Sequence, residues 1–391
     1  MRSPVSRGAT FERRSLVPFW KRPCGILAFY VFVSLLVVGC GGQEESGGGS
    51  ASEGGVGSGG ETTSGGGSAS AGGSASGGGG VEGEGLVVYS GRNEELVGPI
   101  IERFEEESGI DVEVRYGDTA ELAATILEEG QNSPADVFFS QDAGALGALS
   151  NEGILSPLPE DALSRVEERF RDPNGEWVGL SGRARVVAYN TEALSEGELP
   201  SSILDFTDPE WSGRIGWAPT NGSFQAFVTA LRVIEGEDVA REWLDGIQAN
   251  SPRRYENNLA ILEGVASGEI DVGFVNHYYL FQLQEERGGN VPAANYYFQN
   301  GDPGSLVNVA GIGILDTADN TTEAQEFLEF LLSEEAQSYF ANETFEYPLI
   351  EDVPINEELV PLSEIQTPNV DLGNLDDLQG TLDLLRETGA L

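Results

Sequence analysis

One stretch decides the fold class, residues 86–140: LVVYSGRNEELVGPIIERFEEESGIDVEVRYGDTAELAATILEEGQNSPADVFFS. Three short apolar runs in it predict strands, at 86–89, 110–114 and 136–139. Between the first two runs, Leu96, Ile100 and Phe104 recur at every fourth position, which places them on one face of a helix. A second helical pattern follows at 122–127. Strands that alternate with helices in this way predict a mostly parallel sheet with helices on both faces.

The same alternation resumes later in the chain and predicts a second lobe. Further strands are predicted at 185–189, 214–217, 270–275 and 309–315, and further helices at 224–234, 280–286, 324–332 and 375–386. The strand at 185–189 is expected to leave the first lobe, and the strand at 309–315 to return to it. We therefore predict an α/β fold of two lobes, each a mixed, mostly parallel sheet flanked by helices. Ligands of such sheets bind beyond the carboxyl ends of the strands, which favours a site in the cleft between the lobes.

The amino terminus carries an export pattern. Residues 25–39, GILAFYVFVSLLVVG, form an apolar run that follows several basic residues and is shorter than the about 20 residues of a membrane span. The run ends at Cys40, and its last residues resemble the lipobox of bacterial lipoproteins. This predicts a signal peptide at 1–39 and a lipid on Cys40; an uncleaved anchor with an incidental cysteine is the alternative. Both interpretations place the body outside the cytoplasm.

The composition of the segment after Cys40 and the net charge of the chain indicate which partners the protein can bind. Residues 40–85 are almost entirely Gly, Ser, Ala, Glu and Thr, which predicts a flexible tether. The net charge is -44, from 65 acidic and 21 basic residues. This charge repels nucleic acid and anionic lipid headgroups, and it attracts cations. Adaptation to salt or simple solubility explains the charge equally well.

A pair of phenols stands at a strand-to-helix turn. Tyr278 and Tyr279 follow the strand predicted at 270–275 and precede the helix predicted at 280–286. Both rings can line one cleft there, because side chains in the first helical turn diverge by only about 100°. Ferric iron favours anionic oxygen and removes phenol protons well below their usual pKa of about 10. The alternative is a pair of wall residues with their rings in the core.

A second polar feature lies between the strand at 214–217 and the helix at 224–234. The residues Asn221, Gly222 and Ser223 offer hydrogen-bond donors and close backbone approach at a helix start, which suits a small oxyanion. Helix capping by Asn or Ser is the alternative interpretation.

Five runs of the chain are distinctive: VVYSGRNEEL at 87–96, ADVFFSQDAGALGALSNEG at 135–153, LSGRARVVAYN at 180–190, APTNGSF at 218–224 and GEIDVGFVNHYYL at 268–280. In this order, they resemble the bacterial ferric-ion-binding proteins of the type II periplasmic-binding-protein fold. The resemblance covers essentially everything after the tether. Together with the strand order, it gives a first lobe at 86–184 with 308–358 and a second lobe at 185–307 with 359–391.

The resemblance implies which residues bind the cargo. It implies a ferric ion on Tyr278 and Tyr279, and a synergistic phosphate or carbonate on Asn221, Gly222, Ser223 and Asn258. The chain departs from the family in the first lobe, where Asn93 stands at a common histidine position and Gln141, followed by Asp142, at a glutamate position. Asn93, Gln141 and Asp142 are therefore the candidate first-lobe contacts. Arg183 is a further candidate partner for the anion, with an interlobe structural role as its alternative.

The implied function is that of a monomeric, membrane-anchored binding component of an ABC importer, which closes on iron and delivers it to a membrane permease. The same fold with a phosphonate, thiamine, a polyamine or another oxyanion as cargo is the first alternative. A metal-dependent hydrolase using Asp142 or Glu94 as its base is a second, although the chain has one histidine and none of the common hydrolase motifs. A structural surface lipoprotein is a third.

Overall fold

A computed structural model describes residues 85–391 of the chain. The predicted signal peptide at 1–39, the lipidation site Cys40 and all of the predicted tether except Gly85 lie outside the described residues. From residue 85 onward, no helix combines the length and the apolar character needed to cross a membrane.

Strands and helices alternate along the described residues, as the sequence predicts. The strands of residues 85–391 are β1 (Leu86–Ser90), β2 (Val112–Tyr116), β3 (Val137–Ser140), β4 (Trp177–Asn190), β5 (Ile215–Trp217), β6 (Arg253–Arg254), β7 (Val272–Asn276), β8 (Ala293–Tyr296), β9 (Val307–Ile314) and β10 (Tyr347–Pro348). The α-helices of the same residues are α1 (Glu94–Ser108), α2 (Thr119–Glu129), α3 (Ala143–Asn151), α4 (Glu160–Leu163), α5 (Gly222–Glu235), α6 (Glu237–Ala249), α7 (Asn258–Ala266), α8 (Tyr278–Arg287), α9 (Thr321–Leu331), α10 (Glu334–Asn342) and α11 (Leu378–Glu387). The α/β class is confirmed.

The strands hydrogen-bond in the order β2-β1-β3-β9-β4-β7-β5-β6, with β8 and β10 also paired to β4. The pairs β1 with β2, β1 with β3, β5 with β6 and β5 with β7 are parallel. The pairs that involve β4 or β9 are antiparallel. The sheets are therefore mixed, with antiparallel pairing concentrated where the two lobes meet.

The long strand β4 belongs to both lobes. Its first half, Trp177–Ala184, pairs with β9, and its second half, Arg185–Tyr189, pairs with β7. The sequence predicts only 185–189 as a strand, but every residue of β4 is buried and the strand begins eight positions earlier. Because neighbouring elements cover both faces of the strand, its residues lack the alternation of polar and apolar side chains that marks a half-exposed strand.

Two hydrophobic cores lie on either side of this crossover. Strands β1, β3 and β9 contribute to the first, and residues of β5, β7, α5 and α6 to the second, with a smaller cluster on the opposite face of β7. The stretch 359–375, assigned to the second lobe from the sequence, contributes Leu359, Ile365, Leu372 and Leu375 to the first core. Only α11 joins the second core, through Leu384 and Leu385. The carboxyl-terminal segment thus packs on the first lobe before it reaches the second.

Candidate functional site

The two predicted phenols lie where the lobes meet. Tyr278 and Tyr279 form the first turn of α8, directly beyond the carboxyl end of β7, and their ring centroids are 4.3 Å apart. Tyr278 is fully buried and packs with the first core, although its helix follows a second-lobe strand. Tyr279 is partly buried and contacts clusters of both lobes. The structure therefore places both rings between the lobes rather than inside one of them.

The protonation of Tyr279 follows from this position. Burial, and then the neighbouring Tyr278, raise the pKa of Tyr279 well above its usual value of 10. Without a cation, this phenol stays protonated in neutral solution. A hard metal ion that bound here would have to displace the proton, which makes binding stronger as the pH rises.

Three arginines are buried near the tyrosine pair: Arg92, Arg183 and Arg185. Burial lowers the pKa of Arg183 and brings that of Arg185 down to about 9. The pKa of Arg92 is raised instead, because the charge of Glu346 outweighs the effect of burial. The site is thus rich in positive charge, in a chain whose net charge is -44.

Arg92 is held by partners that are distant in the sequence. Its Nη2 donates to Glu346 at 2.7 Å and its Nη1 to the side-chain oxygen of Gln141 at 2.7 Å. Ser181 donates to the second carboxylate oxygen of Glu346 at 2.6 Å. Neither Arg92 nor Glu346 was predicted as a site residue. Arg92 stands two positions beyond the end of an apolar strand, and this position in the sequence does not reveal its partners.

The predicted anion-binding residues are brought together in the second lobe. Asn221 caps α5, and its side-chain oxygen accepts from the hydroxyl of Ser223 at 2.6 Å and from the amide of Asn258 at 3.1 Å. Arg185 donates to Asn258 at 3.4 Å and to Asn276 at 3.3 Å. The helix capping that was the alternative interpretation of these residues is therefore present, and it forms part of a larger polar cluster. Arg185 and Asn276 are members that the sequence analysis missed.

Gly222 is the first residue of α5. A Cβ added there would meet no other atom within 4 Å. The backbone at this helix start is therefore open to a ligand from that side.

The first-lobe candidates have other partners. Asn93 is exposed and caps α1 through the amide of Glu95 at 3.0 Å. Gln141 accepts from Arg92 with its side chain and from Arg183 with its backbone oxygen. Asp142 caps α3 through the amide of Ala145 at 3.1 Å, and burial raises its pKa. Residues 85–391 contain no cluster of three His, Cys, Asp or Glu side chains that could hold a metal ion.

His277 connects the tyrosine pair to the crossover strand. Its Nδ1 accepts from the amide of Ala184 at 3.1 Å, and its own amide donates to the Ala184 oxygen at 3.0 Å. The imidazole stacks on Tyr347 of β10, with ring centroids 4.7 Å apart. Burial lowers the pKa of His277 to about 3, so the ring is neutral. The residue therefore packs and hydrogen-bonds beside the phenols.

A small cavity opens between the lobes beside this cluster. It has a volume of about 10 Å³, roughly the space of one water molecule, and its walls include Arg183 and Asn308 on one side and Arg185, Ser223 and Asn276 on the other. Donors of both lobes therefore face the same space. The phenols do not line this cavity, although Asn276 is two residues from Tyr278.

Two lobes joined by a shared strand, with buried phenols and guanidinium groups at their junction, define a binding protein that encloses a small ligand. The family model for bacterial extracellular solute-binding proteins matches residues 132–372. The Fe(3+)-binding periplasmic protein of Serratia marcescens is 34% identical over 310 residues, which are 79% of this chain and 91% of that protein. The chain belongs to the bacterial extracellular solute-binding proteins, a family of transport proteins and not of enzymes.

Solved structures agree with this assignment. Iron-bound HitA from Pseudomonas aeruginosa is 36% identical and matches with a TM-score of 0.74, over 78% of this chain and 99% of that one. The Trichodesmium protein IdiA (FutA), in complex with iron and citrate ligands, is 30% identical and matches with a TM-score of 0.68, over 78% and 99% of the two chains. The predicted type II periplasmic-binding-protein fold is confirmed.

Proposed function

We propose that this chain is the ferric-iron-binding component of an ABC importer, and that Tyr278 and Tyr279 are its metal ligands. The observation that carries the proposal is the pair of adjacent phenols between the lobes, one fully and one partly buried, close to buried arginines. Phenolate oxygen suits a hard trivalent ion, and deprotonation of two phenols on binding supplies two negative charges. The relatives named for iron binding support the same cargo.

A synergistic anion, phosphate or carbonate, binds in the polar cluster of the second lobe. Ser223 and Asn258 supply a hydroxyl and a side-chain amide there, and the start of α5 supplies the backbone amide of Gly222. Arg185 adds a positive charge to the same cluster. An anion at this place would fill coordination positions of the iron that the two phenolates leave open.

The mature chain is anchored outside the cytoplasm by a lipid on Cys40 and passes its cargo, as a monomer, to a membrane permease. The apolar run at 25–39 and the tether that follows support this arrangement. Replacement of Cys40 by Ser should release the chain from the membrane fraction, as detected by fractionation and immunoblotting. Retention of that variant in the membrane would contradict the lipid anchor.

The iron assignment is tested by titrating ferric citrate into the purified full chain and recording the visible spectrum. We expect a coloured one-to-one complex, because ferric phenolate absorbs visible light by charge transfer. Tyr278→Phe and Tyr279→Phe should each remove most of this absorption. Tyr116→Phe is the matched control, since Tyr116 is a phenol of β2 in the first lobe.

An unchanged spectrum in the parent chain would refute the iron assignment. The alternative cargoes of the same fold, such as a phosphonate or another oxyanion, would give a colourless complex. They would still raise the melting temperature, because a ligand that binds only the folded chain stabilises it.

A further inference from the structure

We propose that residues 372–381, which we call the carboxyl-terminal strap, limit how far the two lobes can open. The strap is fixed to the first lobe at one end and to the second lobe at the other, and it passes between them at Asp376 and Asp377. It thereby holds the chain near the arrangement in which the space between the lobes is closed. This inference rests on the confirmed fold and does not depend on which cargo the chain binds.

The lobes are also joined by two neighbouring strands. β4 changes partners between Ala184 and Arg185, and the chain returns to the first lobe at β9. The backbone amide of Arg185 donates to the backbone oxygen of Leu306 at 2.8 Å, so the two passages lie side by side. One lobe can rotate about such a pair of strands, because a few residues absorb the change of backbone angles. A connection at another place is needed to restrict the rotation.

The first half of the strap is packed on α3 of the first lobe. Leu372 and Leu375 are buried in the first core. A Cβ at Gly147 would overlap the backbone oxygen of Gly373, so the backbone of the strap lies directly against the helix. Separation of the strap from α3 would expose both leucines to water, which is unfavourable. This half therefore moves with the first lobe.

The second half of the strap is the start of α11, which is packed on the second lobe. Thr381 is fully buried, and its hydroxyl is 2.7 Å from the hydroxyl of Thr229 in α5. Arg232 of α5 also donates to the hydroxyl of Thr381, at 2.9 Å. Further along α11, Leu384 and Leu385 are buried in the second core. This half therefore moves with α5.

The passage between the lobes is as short as a chain can make it. Asn151 of α3 donates to the carboxylate of Asp376 at 2.7 Å, and Arg232 donates to the carboxylate of Asp377 at 2.7 Å. One peptide unit, about 3.8 Å between Cα atoms, separates these two attachments. The amide of Leu378 donates to the backbone oxygen of Asp376 at 2.8 Å, around Asp377 with φ -80° and ψ 61°, which is an inverse γ-turn. The strap thus has little slack at this point.

The strap crosses where α3 and α5 face each other. Leu375 and Leu378 line a cavity of about 20 Å³ whose other walls include Ala145 of α3 and Gly222 of α5. Arg232 lies about 15 Å along α5 from Gly222, at 1.5 Å per residue. Because a helix moves as a rigid rod, a restraint at Arg232 also restrains the helix start in the polar cluster of the second lobe.

The consequence is a bias toward the closed arrangement. In the structure, the cavity between the lobes has a volume of only about 10 Å³. Opening beyond the reach of the strap must break the contacts of Arg232 with Asp377 and Thr381, or unwind the first turn of α11. A chain that is held near its binding-competent arrangement binds its ligand more tightly, because a larger fraction of the free chains is competent. Ligand should also leave it more slowly.

The experiment lengthens the strap and leaves its attachments in place. Three glycines inserted between Asp376 and Asp377 add up to about 10 Å of reach. We expect small-angle X-ray scattering of the iron-free full chain to show a larger radius of gyration for this variant. The matched control has the same three glycines between Gly289 and Asn290, in an exposed turn of the second lobe. Its radius should equal that of the parent chain.

A substitution tests the strap at its natural length. Asp377→Asn still accepts from the amide of Gly380 and so keeps the cap of α11, but it loses the charge that pairs with Arg232. It should increase the radius less than the insertion does. Asp383→Asn, which removes a similar ion pair within α11, is its control. Melting curves identify a variant that does not fold, and Asp377→Asn decides the question if the insertion variant is one.

Loss of cargo provides a second readout. The ferric complex of each variant is mixed with a competing chelator, and the decay of the visible absorption is recorded. The strap insertion should accelerate the decay by about fivefold or more, the usual range of coupling between two parts of a protein. The insertion at Gly289 should leave the rate unchanged.

Two results would overturn the inference. One is a folded strap-insertion variant with the radius and the rate of iron loss of the parent chain. The other is a control insertion that increases the radius as much as the strap insertion does. A parent chain that forms no coloured complex would refute the proposed iron ligands instead, and the radii of the iron-free chains would still decide the role of the strap.

Discussion

Replacement of Glu346 by Gln tests how much the buried ion pair beneath the site contributes to stability. Both side chains of the pair Arg92 and Glu346 are completely buried, and the two charged atoms are 2.7 Å apart. Glu346→Gln leaves the guanidinium of Arg92 without a counter-ion in the core. Loss of one partner of a buried pair costs about 3–5 kcal/mol, because the remaining charge is desolvated and uncompensated. We expect the free energy of unfolding to fall by that amount.

The structure offers an internal comparison for this value. Arg103 and Glu343 are also 2.7 Å apart, but their side chains are 35% and 52% exposed. Water screens this second pair, so Glu343→Gln should cost only about 0.2–1 kcal/mol. Since the two pairs have the same separation, the difference between the two variants measures the effect of burial.

These changes are measured by urea unfolding of the iron-free chain, together with Arg92→Met, Glu346→Leu and the double variant that combines the last two. Removal of both charges should recover most of the loss, because a buried pair replaced by apolar side chains is often neutral or stabilising. The reasoning is refuted if Glu346→Gln costs no more than Glu343→Gln, or if the double variant is as unstable as the sum of its single changes.

Three further predictions concern pH and packing. Burial lowers the folded-state pKa of His277 to about 3, below its ordinary value of 6.5, so its stabilising contribution is complete above pH 6.5 and is lost as the pH falls toward 3. The free energy of unfolding of the iron-free chain should therefore fall by about 2 kcal/mol between pH 6.5 and 5. In urea unfolding, His277→Gln should remove this pH dependence, and parallel pH profiles of the variant and the parent chain would disprove the burial effect. Burial raises the pKa of Asp142, so its carboxylate destabilises the fold increasingly as the pH rises above the ordinary pKa of an aspartate. Asp142→Asn, which can still cap α3, should therefore raise the melting temperature at neutral pH but not in acid. An equal rise at both pH values would contradict this prediction. A Cβ at Gly144 would overlap the backbone oxygen of Leu375, whereas one at Gly197 meets nothing within 4 Å. In the same unfolding assay, Gly144→Ala should lower the free energy of unfolding by about 1–3 kcal/mol and Gly197→Ala by less than about 0.5 kcal/mol. Equal effects would show that the carboxyl-terminal segment can shift away from α3 at little cost.

The sequence alone was sufficient to predict the features that depend on residues close together in the chain. The strand-to-helix turn at Tyr278 follows from an apolar run that ends in polar residues, and the polar start of α5 at Asn221 follows from a capping pattern. The bounds of β4 were missed in part, since full burial on both faces removes the periodic pattern. The sequence predicts Asn93 and Gln141 as departures from the family, but it does not predict their hydrogen-bond partners.

Only the tertiary structure determines which charged side chains lie near the two phenols. Arg92 and Glu346 are separated by 254 residues, and no local pattern connects them. Arg183 and Arg185 are two positions apart on one strand, yet they serve different lobes because β4 changes partners between them. Local periodicity is set by the contacts of a residue with its near neighbours in the chain. The charge and the hydrogen-bonding capacity of an enclosed site are set by side chains that only folding brings together.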